Sequence, residues 1–435
     1  MVVGLNKEKI KFISSAKEEK EDILNFRLKC YDKFVEQDMP SFGPKIDIDF
    51  DKIVYYKEAD EKEIKDNWDD INTEVRNEFC ALDVVSSEKY LDGMGVQYES
   101  EVIYHNMLEE LKNKNVIFTS IEDAFKKYPD LVKKYFSKIV APFENKFVSL
   151  NGAVFSGGSF IYIPPNTKLD RPLQSYFRIS SKDLGQFERT LIIVDDNSSL
   201  HYIEGCTART YSSSNLHAAV VEIYVGKNST CRYTTIQNWA YNVKNLVTKR
   251  AVVEENGKME WIDGNIGSSL TMKYPCCVLK GDNSEGVCIT ISVAKEGQNQ
   301  DSGAKMIHIG KNTKSNIISK SIAQNGGSSD YRGSVIIKKS ATSSYSLVKC
   351  DSLILDRISS SDTYPTNEVD NKTSFIEHEA TVSRISEEKL FYLQSRGLSK
   401  EQAISLIVLG FIDRFKKELP MEYAVELNSL LKQSL

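Results

Sequence analysis

Residues able to do chemistry gather in the last third of the chain, in two short strings. The first is Lys349-Cys350-Asp351-Ser352, at the end of a predicted strand. A cysteine between a lysine and an aspartate is poised as a thiolate if the lysine dominates; otherwise it is a buried structural thiol. The second is Ser374-Phe375-Ile376-Glu377-His378-Glu379-Ala380-Thr381-Val382. In an extended strand, Phe375, Glu377, Glu379 and Thr381 share one face, and Ile376, His378, Ala380 and Val382 share the other. Two carboxylates on one face are costly to bury unless paired or metal-bound. The competing readings are a solvated face beside basic residues such as Arg384, and a histidine satisfied in an apolar core.

Something must carry these strings toward each other. From about 146 to 385, short β-branched runs alternate with small polar turns. Leu191-Ile192-Ile193-Val194, Ala219 to Val225, Ala251-Val252-Val253, Met306 to Ile309 and Ser334 to Ile337 are such runs. The turns carry Asn and Gly, which tolerate left-handed backbone. Asn197 and Asn228 are 31 residues apart, and Asn228 and Asn256 are 28 apart. That spacing favours a β-solenoid over a sandwich pair or a propeller, whose blade motif is absent. Cys350 and Glu379 are 29 residues apart, close to the same interval. Equivalent positions on adjacent coils lie about 4.8 Å apart, so a thiol, an imidazole and carboxylates can meet at one edge. Thiolate suits iron–sulfur chemistry, and carboxylate and imidazole can hold iron. One thiolate makes a poor permanent cluster site and a suitable labile one.

The flanks read differently. Residues 1–145 mix charged helices with loops. One helix is predicted between Glu18 and Val35, and another begins at the N-cap Ser120 and continues through Ala124, Phe125, Tyr128, Leu131, Val132 and Tyr135. Residues 386–435 are helical: Ser399 and Gln402 form a capping box ahead of Ala403, Ile404, Ile407, Val408, Phe411, Ile412 and Phe415. Pro420 breaks that helix and starts another bearing Tyr423, Leu427, Leu430 and Leu431. The wide apolar surface here either packs deep or meets a partner.

Bulk properties exclude several classes. With 56 basic and 61 acidic residues and a net charge of -5, the chain lacks the basic surplus of a general nucleic-acid binder. No apolar run reaches the ~18–20 residues that cross a bilayer. The charged start, rich in both Lys and Glu, fits neither a signal nor a transit peptide; the expected location is the cytoplasm or an organelle stroma. The 8 cysteines contain no C-x-x-C pair, which argues against a zinc ribbon, and they are too scattered for a disulfide framework. Reduced, mostly buried thiols are expected. No P-loop is present, so the chain does not itself hydrolyse ATP by that mechanism.

Longer strings carry a resemblance. Ser156-Gly157-Gly158-Ser159-Phe160-Ile161-Tyr162-Ile163-Pro164-Pro165, Gly185 to Thr190, Glu204-Gly205-Cys206-Thr207-Ala208 and Tyr233 to Trp239 resemble the SufB family, as do Glu260 to Asn265, Gly303 to His308, Lys349 to Leu353 and Glu377 to Thr381. The resemblance runs from about Asn25 to the C-terminus. It implies a mainly β fold, a right-handed parallel β-helix with N-terminal α/β and C-terminal helical flanks. It implies a scaffold for a transient iron–sulfur cluster, not an enzyme. The implied partners are the ATPase SufC, docked by the C-terminal helices, with SufD or a second SufB. A cysteine desulfurase with SufE or SufU would deliver persulfide sulfur.

By position, Cys350 resembles the family's cluster-building cysteine and Glu379 its acidic ligand, flanked by Glu377 and His378. Cys206 resembles the sulfur-entry cysteine. Arg178, Gln237 and Trp239 resemble residues lining an interior path. Some family complexes bind reduced flavin, and no motif here decides that point. The chain departs from the family in lacking the N-terminal C-x-x-C-x-x-x-C of some members and in having Ser180 where many have Asn. Two alternatives stand beside the scaffold: a SufD-like structural subunit, and a polysaccharide-active β-solenoid enzyme.

Overall fold

A computed structural model of the chain describes residues 1–58, 64–208 and 214–418. Its centre is a β-solenoid of about eight coils between residues 160 and 384. Each coil gives one strand to each of two long sheets. One sheet runs, neighbour to neighbour, through Leu173–Ile179, Ser199–Ala208, Thr230–Trp239, Lys258–Gly267, Glu285–Ala294, Lys314–Ala323, Tyr345–Ile354 and Phe375–Arg384, all parallel. The facing sheet ends in Asn299–His308, Ser328–Ile337 and Thr363–Val369.

The turn asparagines explain why the coils stack in register. Asn166, Asn197, Asn228, Asn256, Asn283 and Asn312 all adopt φ between 53° and 59°. Their side chains form a ladder: each amide donates to the preceding carbonyl oxygen, at 3.2, 3.1, 3.0, 3.1 and 2.7 Å in order. Asparagine is among the few residues that accept left-handed backbone and also carry a side chain able to bridge coils.

Between the sheets, identical in-facing positions form rows. Ile161, Ile192, Ile223, Ala251, Cys277, Met306 and Val335 make one continuous apolar row, buried in the main core.

The two ends differ. At the N-terminal end each sheet finishes in an antiparallel strand, Glu101–Met107 on one and Ile117–Ser120 on the other. At the C-terminal end Phe375–Arg384 and Thr363–Val369 are outermost, with Phe375, Val382, Tyr364 and Val369 exposed. A parallel edge with exposed apolar groups is a template for pairing.

Helices cover both outer faces. Val408, Ile412 and Phe415 lie on Ile203, Ile236, Ile262, Ile289 and Ile318. On the other side Leu216, Leu246 and Met272 pack against Ile10, Ile13 and Phe34 of the N-terminal region. Glu222 anchors that region. Buried, it accepts the backbone N–H groups of Ser137, Ile139 and Val140 at 3.0 Å each and the Arg189 guanidinium at 2.8 Å.

Two boundaries differ from the sequence reading. Lys146–Val154 is a helix, and the first strand of the solenoid path starts at Ser159. The helix is buried all round from Phe147 onward, so it shows no amphipathic period. The helix expected from Ser120 through Tyr135 is two, Ile121–Lys127 and Pro129–Tyr135. Pro129 has no N–H to continue the first and sits at the start of the second, where none is needed. The capping box at Ser399 and Gln402 is present. The Pro420 break and its following helix lie outside the described residues.

Candidate functional site

Cys350 lies mid-strand, within Tyr345–Ile354, not at its end. Alternation turns it inward with Ser346, Val348 and Ser352, and it is buried. Lys349 and Asp351 therefore face outward, and neither activates the thiol. Lys349 pairs with Glu379 at 2.9 Å and Asp351 with Lys320. Burial pushes the Cys350 thiol up to about 12; the Tyr331 hydroxyl pulls the other way and Asp351 adds to the rise. Of the two readings of Cys350, the buried protonated thiol is the one the surroundings favour, and Lys349 does not dominate.

The final strand pairs along the whole strand of Cys350, and it is His378 that brings a polar side chain to the thiol. The register partner of Cys350 is Ala380; Lys349 faces Glu379, and Val348 faces His378. His378 points inward and brings Nε2 to 3.8 Å from Cys350 Sγ. Its Nδ1 is 3.2 Å from the Asn367 amide of the facing sheet. Burial lowers the His378 pKa, which favours the neutral imidazole that binds metals. Glu377 and Glu379 stand on the outer face, exposed, with Glu377 accepting from the Tyr345 hydroxyl at 2.9 Å. The structure brings Cys350 and His378 together and leaves both carboxylates outside. The 29-residue spacing is one short of the 30-residue register here, and one residue in a strand is the opposite face.

Cys206 lies five coils upstream and also faces inward. It is buried 3.8 Å from Glu204 Oε1, and burial holds its thiol well above the usual range. Gln237 is its register partner on the next coil. Trp239 packs with Cys206 and Val243 and its ring lies 4.7 Å from that of His217. Arg178 is different. It points outward, to Glu78 at 3.2 Å and Thr207 at 3.0 Å. Tyr176, on its face of the strand, packs under Phe79 outside the solenoid. The placement of Arg178 on an interior path is corrected: its strand neighbours Phe177 and Ile179 hold the inward positions beside Cys206.

Between these thiols the interior is polar. One inward row reads Glu204, Thr235, Asp263, Thr290, Ser319, Cys350; the next reads Cys206, Gln237, Asn265, Ser292, Ser321, Ser352. Buried atoms along it lack a hydrogen-bond partner among the described residues: Gln237 Nε2, Trp239 Nε1, Asp263 Oδ2, both amide atoms of Asn265, and Thr290 Oγ1. Native interiors rarely leave such atoms unpaired without water or a ligand. Lys249, Asp263 and Lys273, inside the solenoid, were not singled out from the sequence. A lysine in a β-rich run carries no mark of which face it occupies until the register is known.

Among the described residues no three His, Cys, Asp or Glu side chains gather as a metal site. The adjacent Cys276 and Cys277 fall on opposite faces, and Cys277 belongs to the apolar core. All eight cysteines are free, and only Cys80 is exposed. No helix among the described residues is long and apolar enough to cross a membrane.

The fold is a parallel β-solenoid with a polar interior, carrying a thiol and an imidazole at its open C-terminal edge. Comparison with known proteins gives it a family. Residues 177–411 match the model described as the SUF system FeS cluster assembly SufBD core domain, and residues 80–175 match the SufBD protein N-terminal region. The chain is 53% identical over 431 residues to the iron–sulfur cluster assembly protein SufB of Bacillus subtilis, covering 99% of this chain and 92% of that one. It is 54% identical, with the same coverage, to SufBD family proteins of Staphylococcus saprophyticus and Staphylococcus aureus. The chain belongs to the SufBD family of iron–sulfur cluster assembly proteins. That membership sets aside the polysaccharide-active alternative.

Proposed function

We propose that this chain is a non-catalytic scaffold on which sulfur and iron meet at Cys350. Sulfur arrives as persulfide from a cysteine desulfurase with a SufE- or SufU-type carrier and is taken up at Cys206. It travels inside the solenoid past Gln237 and Trp239 and reaches Cys350. The cluster is cargo, built and passed to apoproteins. The observation that carries this reading is the pair of polar inward rows joining Cys206 to Cys350, with their unsatisfied atoms.

The edge explains how the cargo leaves. Cys350 and His378 supply two donors, too few for a lasting cluster, so a partner surface and sulfide complete the ligand set, the sulfide being released from the Cys350 persulfide by a two-electron reductant such as reduced flavin, which leaves Cys350 as the thiolate. The exposed outer strand suits a partner with a matching edge, SufD or a second copy of this chain. Glu379 and Glu377 stand on its rim as iron ligands once that strand shifts and Glu379 leaves Lys349. A SufC-type ATPase docked at the C-terminal helices, where Phe391, Tyr392 and Leu406 are exposed, drives that shift and unburies Cys350. The SufD-like alternative has no observation in its favour here: a purely structural subunit needs no thiol against an imidazole at its open end.

The test is delivery of ³⁵S from labelled cysteine through a desulfurase and carrier, without iron, followed by mapping of labelled peptides. Label is expected on Cys206 and Cys350 in the wild type, and on Cys206 alone in Cys350→Ser. Cys206→Ser should leave Cys350 unlabelled. Equal labelling of Cys350 with and without Cys206 contradicts the path.

A further inference from the structure

A cavity of about 590 Å³ lies outside the solenoid, between the outer surface of the facing sheet and the N-terminal region. Its floor includes Thr248, Arg250, Tyr274, Cys276 and Lys305, and residues 39–42 form the opposite wall. The sheet is interrupted at this floor. Leu270–Lys273 and Cys276–Leu279 pair separately with the strands on either side, and Pro275 between them has no N–H to continue the ladder. Small-molecule sites occupy about 300–1,000 Å³, so the gap is of ligand size.

The charges around it do not cancel. Arg250 donates from both Nη atoms to Glu144, at 2.6 and 2.5 Å. Lys146 donates to the carbonyls of Phe34 and Gln37 at 2.8 and 2.6 Å and has Asp38 near it. Lys249 turns its ammonium to the interior. Lys305, half-buried, makes no ion pair or hydrogen bond through its ammonium among the described residues, so one positive charge is left over. Arg250, Cys276 and Lys305 are register partners on three successive coils. Burial pushes the Cys276 thiol up, and Arg250 and then Lys305 pull it down; both cations therefore reach toward the same sulfur. Arg250 Nε is buried there without a hydrogen-bond partner among the described residues, and the sulfur beside it is a weak acceptor. An unpaired buried donor of this kind calls for a ligand or water. Around the charge the walls are apolar. Met39, Phe42, Met272 and Tyr274 line them, with the rings of Phe42 and Tyr274 6.0 Å apart. The Tyr274 hydroxyl is taken up by Asp301 at 2.7 Å.

We infer that this cavity binds a small aromatic carboxylate, its acid group on Lys305 and Arg250 Nε and its ring against Met272 and Tyr274. A monoanion matches the single surplus charge; a phosphate ester would bring nearly two. One wall belongs to residues 39–42 and the other to the sheet, so the ligand fastens that segment to the solenoid. The site is on the opposite face of the sheet from the interior rows and does not depend on the sulfur path.

The test titrates the full chain with 4-bromobenzoate by calorimetry and measures crystals grown with it at the bromine edge. One-site binding and a bromine peak inside the cavity are expected. Lys305→Met should weaken binding by about tenfold or more, the worth of one charge-assisted contact, and Lys305→Arg should keep it. Thr248→Trp, which fills the cavity without changing its charge, should abolish binding. Neutral 4-bromobenzamide should bind about tenfold more weakly than the acid, and 4-bromophenyl phosphate no more tightly. Urea midpoints equal to that of the wild type show that the variants are folded, and the two ligand comparisons on the wild type stand without them. No heat in solution, a bromine peak only at crystal concentration or elsewhere, or equal binding of acid and amide overturns the inference. So does binding indifferent to both Lys305→Met and Thr248→Trp, and tighter binding of the phosphate overturns the assignment of a carboxylate.

Discussion

Cys350 should resist alkylation in the isolated chain, and the expected factor follows from its surroundings. Burial moves its thiol from 9.0 to about 12. Three units lower the thiolate population at pH 8 about 1,000-fold. A more basic thiolate is intrinsically more nucleophilic, with a Brønsted slope of about 0.4–0.5, which returns a factor of roughly 15–30. Ionisation alone therefore slows Cys350 about 30- to 60-fold, and exclusion of the reagent adds to that. Cys80, the exposed cysteine, is the internal reference. A timed iodoacetamide pulse, read by mass spectrometry of the two peptides, should give at least a 30-fold rate difference at pH 8. It should also give a Cys350 rate that climbs about tenfold per pH unit from 7 to 10. Urea should abolish the difference. Native rates within a few-fold, or a Cys350 plateau between pH 7 and 9, would refute the buried, protonated thiol.

Three further outcomes follow from the fold. Asn228→Ala removes two ladder hydrogen bonds and places alanine at φ 54°. Urea unfolding should show a loss of about 1–3 kcal/mol, with Asn228→Gly losing less because glycine accepts that backbone; equal behaviour of the two would remove conformation from the explanation. Glu222→Ala strands the Arg189 guanidinium in a buried site, and a cost of about 3–5 kcal/mol is expected. Faster hydrogen exchange across residues 129–154 should report it, and unchanged exchange would show that Glu222 is no anchor. The thiols of Cys30 and Cys350 both rise to about 12. The folded chain keeps protons that the unfolded chain loses above 9, so their contribution is complete below pH 9 and is lost as pH rises toward 12. The decline should approach about 1.4 kcal/mol per pH unit per thiol, seen as a urea midpoint flat from pH 7 to 8.5 and falling beyond 9.

The solenoid was legible in the sequence because its register is written in single residues. Asn197, Asn228 and Asn256 stand at a spacing set by coil length, and their side chains touch. The faces of the last strand were legible for a similar reason: alternation alone puts His378 opposite Glu377 and Glu379. Their meeting with Cys350 was harder to read. A 29-residue interval and a 30-residue register differ by one position, and that difference decides whether a carboxylate or an imidazole reaches the thiol. Arg178 was misplaced because a family position carries no face. Lys249 and Lys273 were invisible because burial of charge depends on which sheet faces which, a property of the closed coil and not of any one run.

Anaerobic reconstitution with ferrous iron and sulfide, followed by Mössbauer and visible spectroscopy of the chain with its partner subunits, tests the central claim most directly. The account predicts cluster signals in the wild type that Cys350→Ser lacks, with the variant still folded and still bound to its partners. An unchanged cluster signal in Cys350→Ser would contradict it.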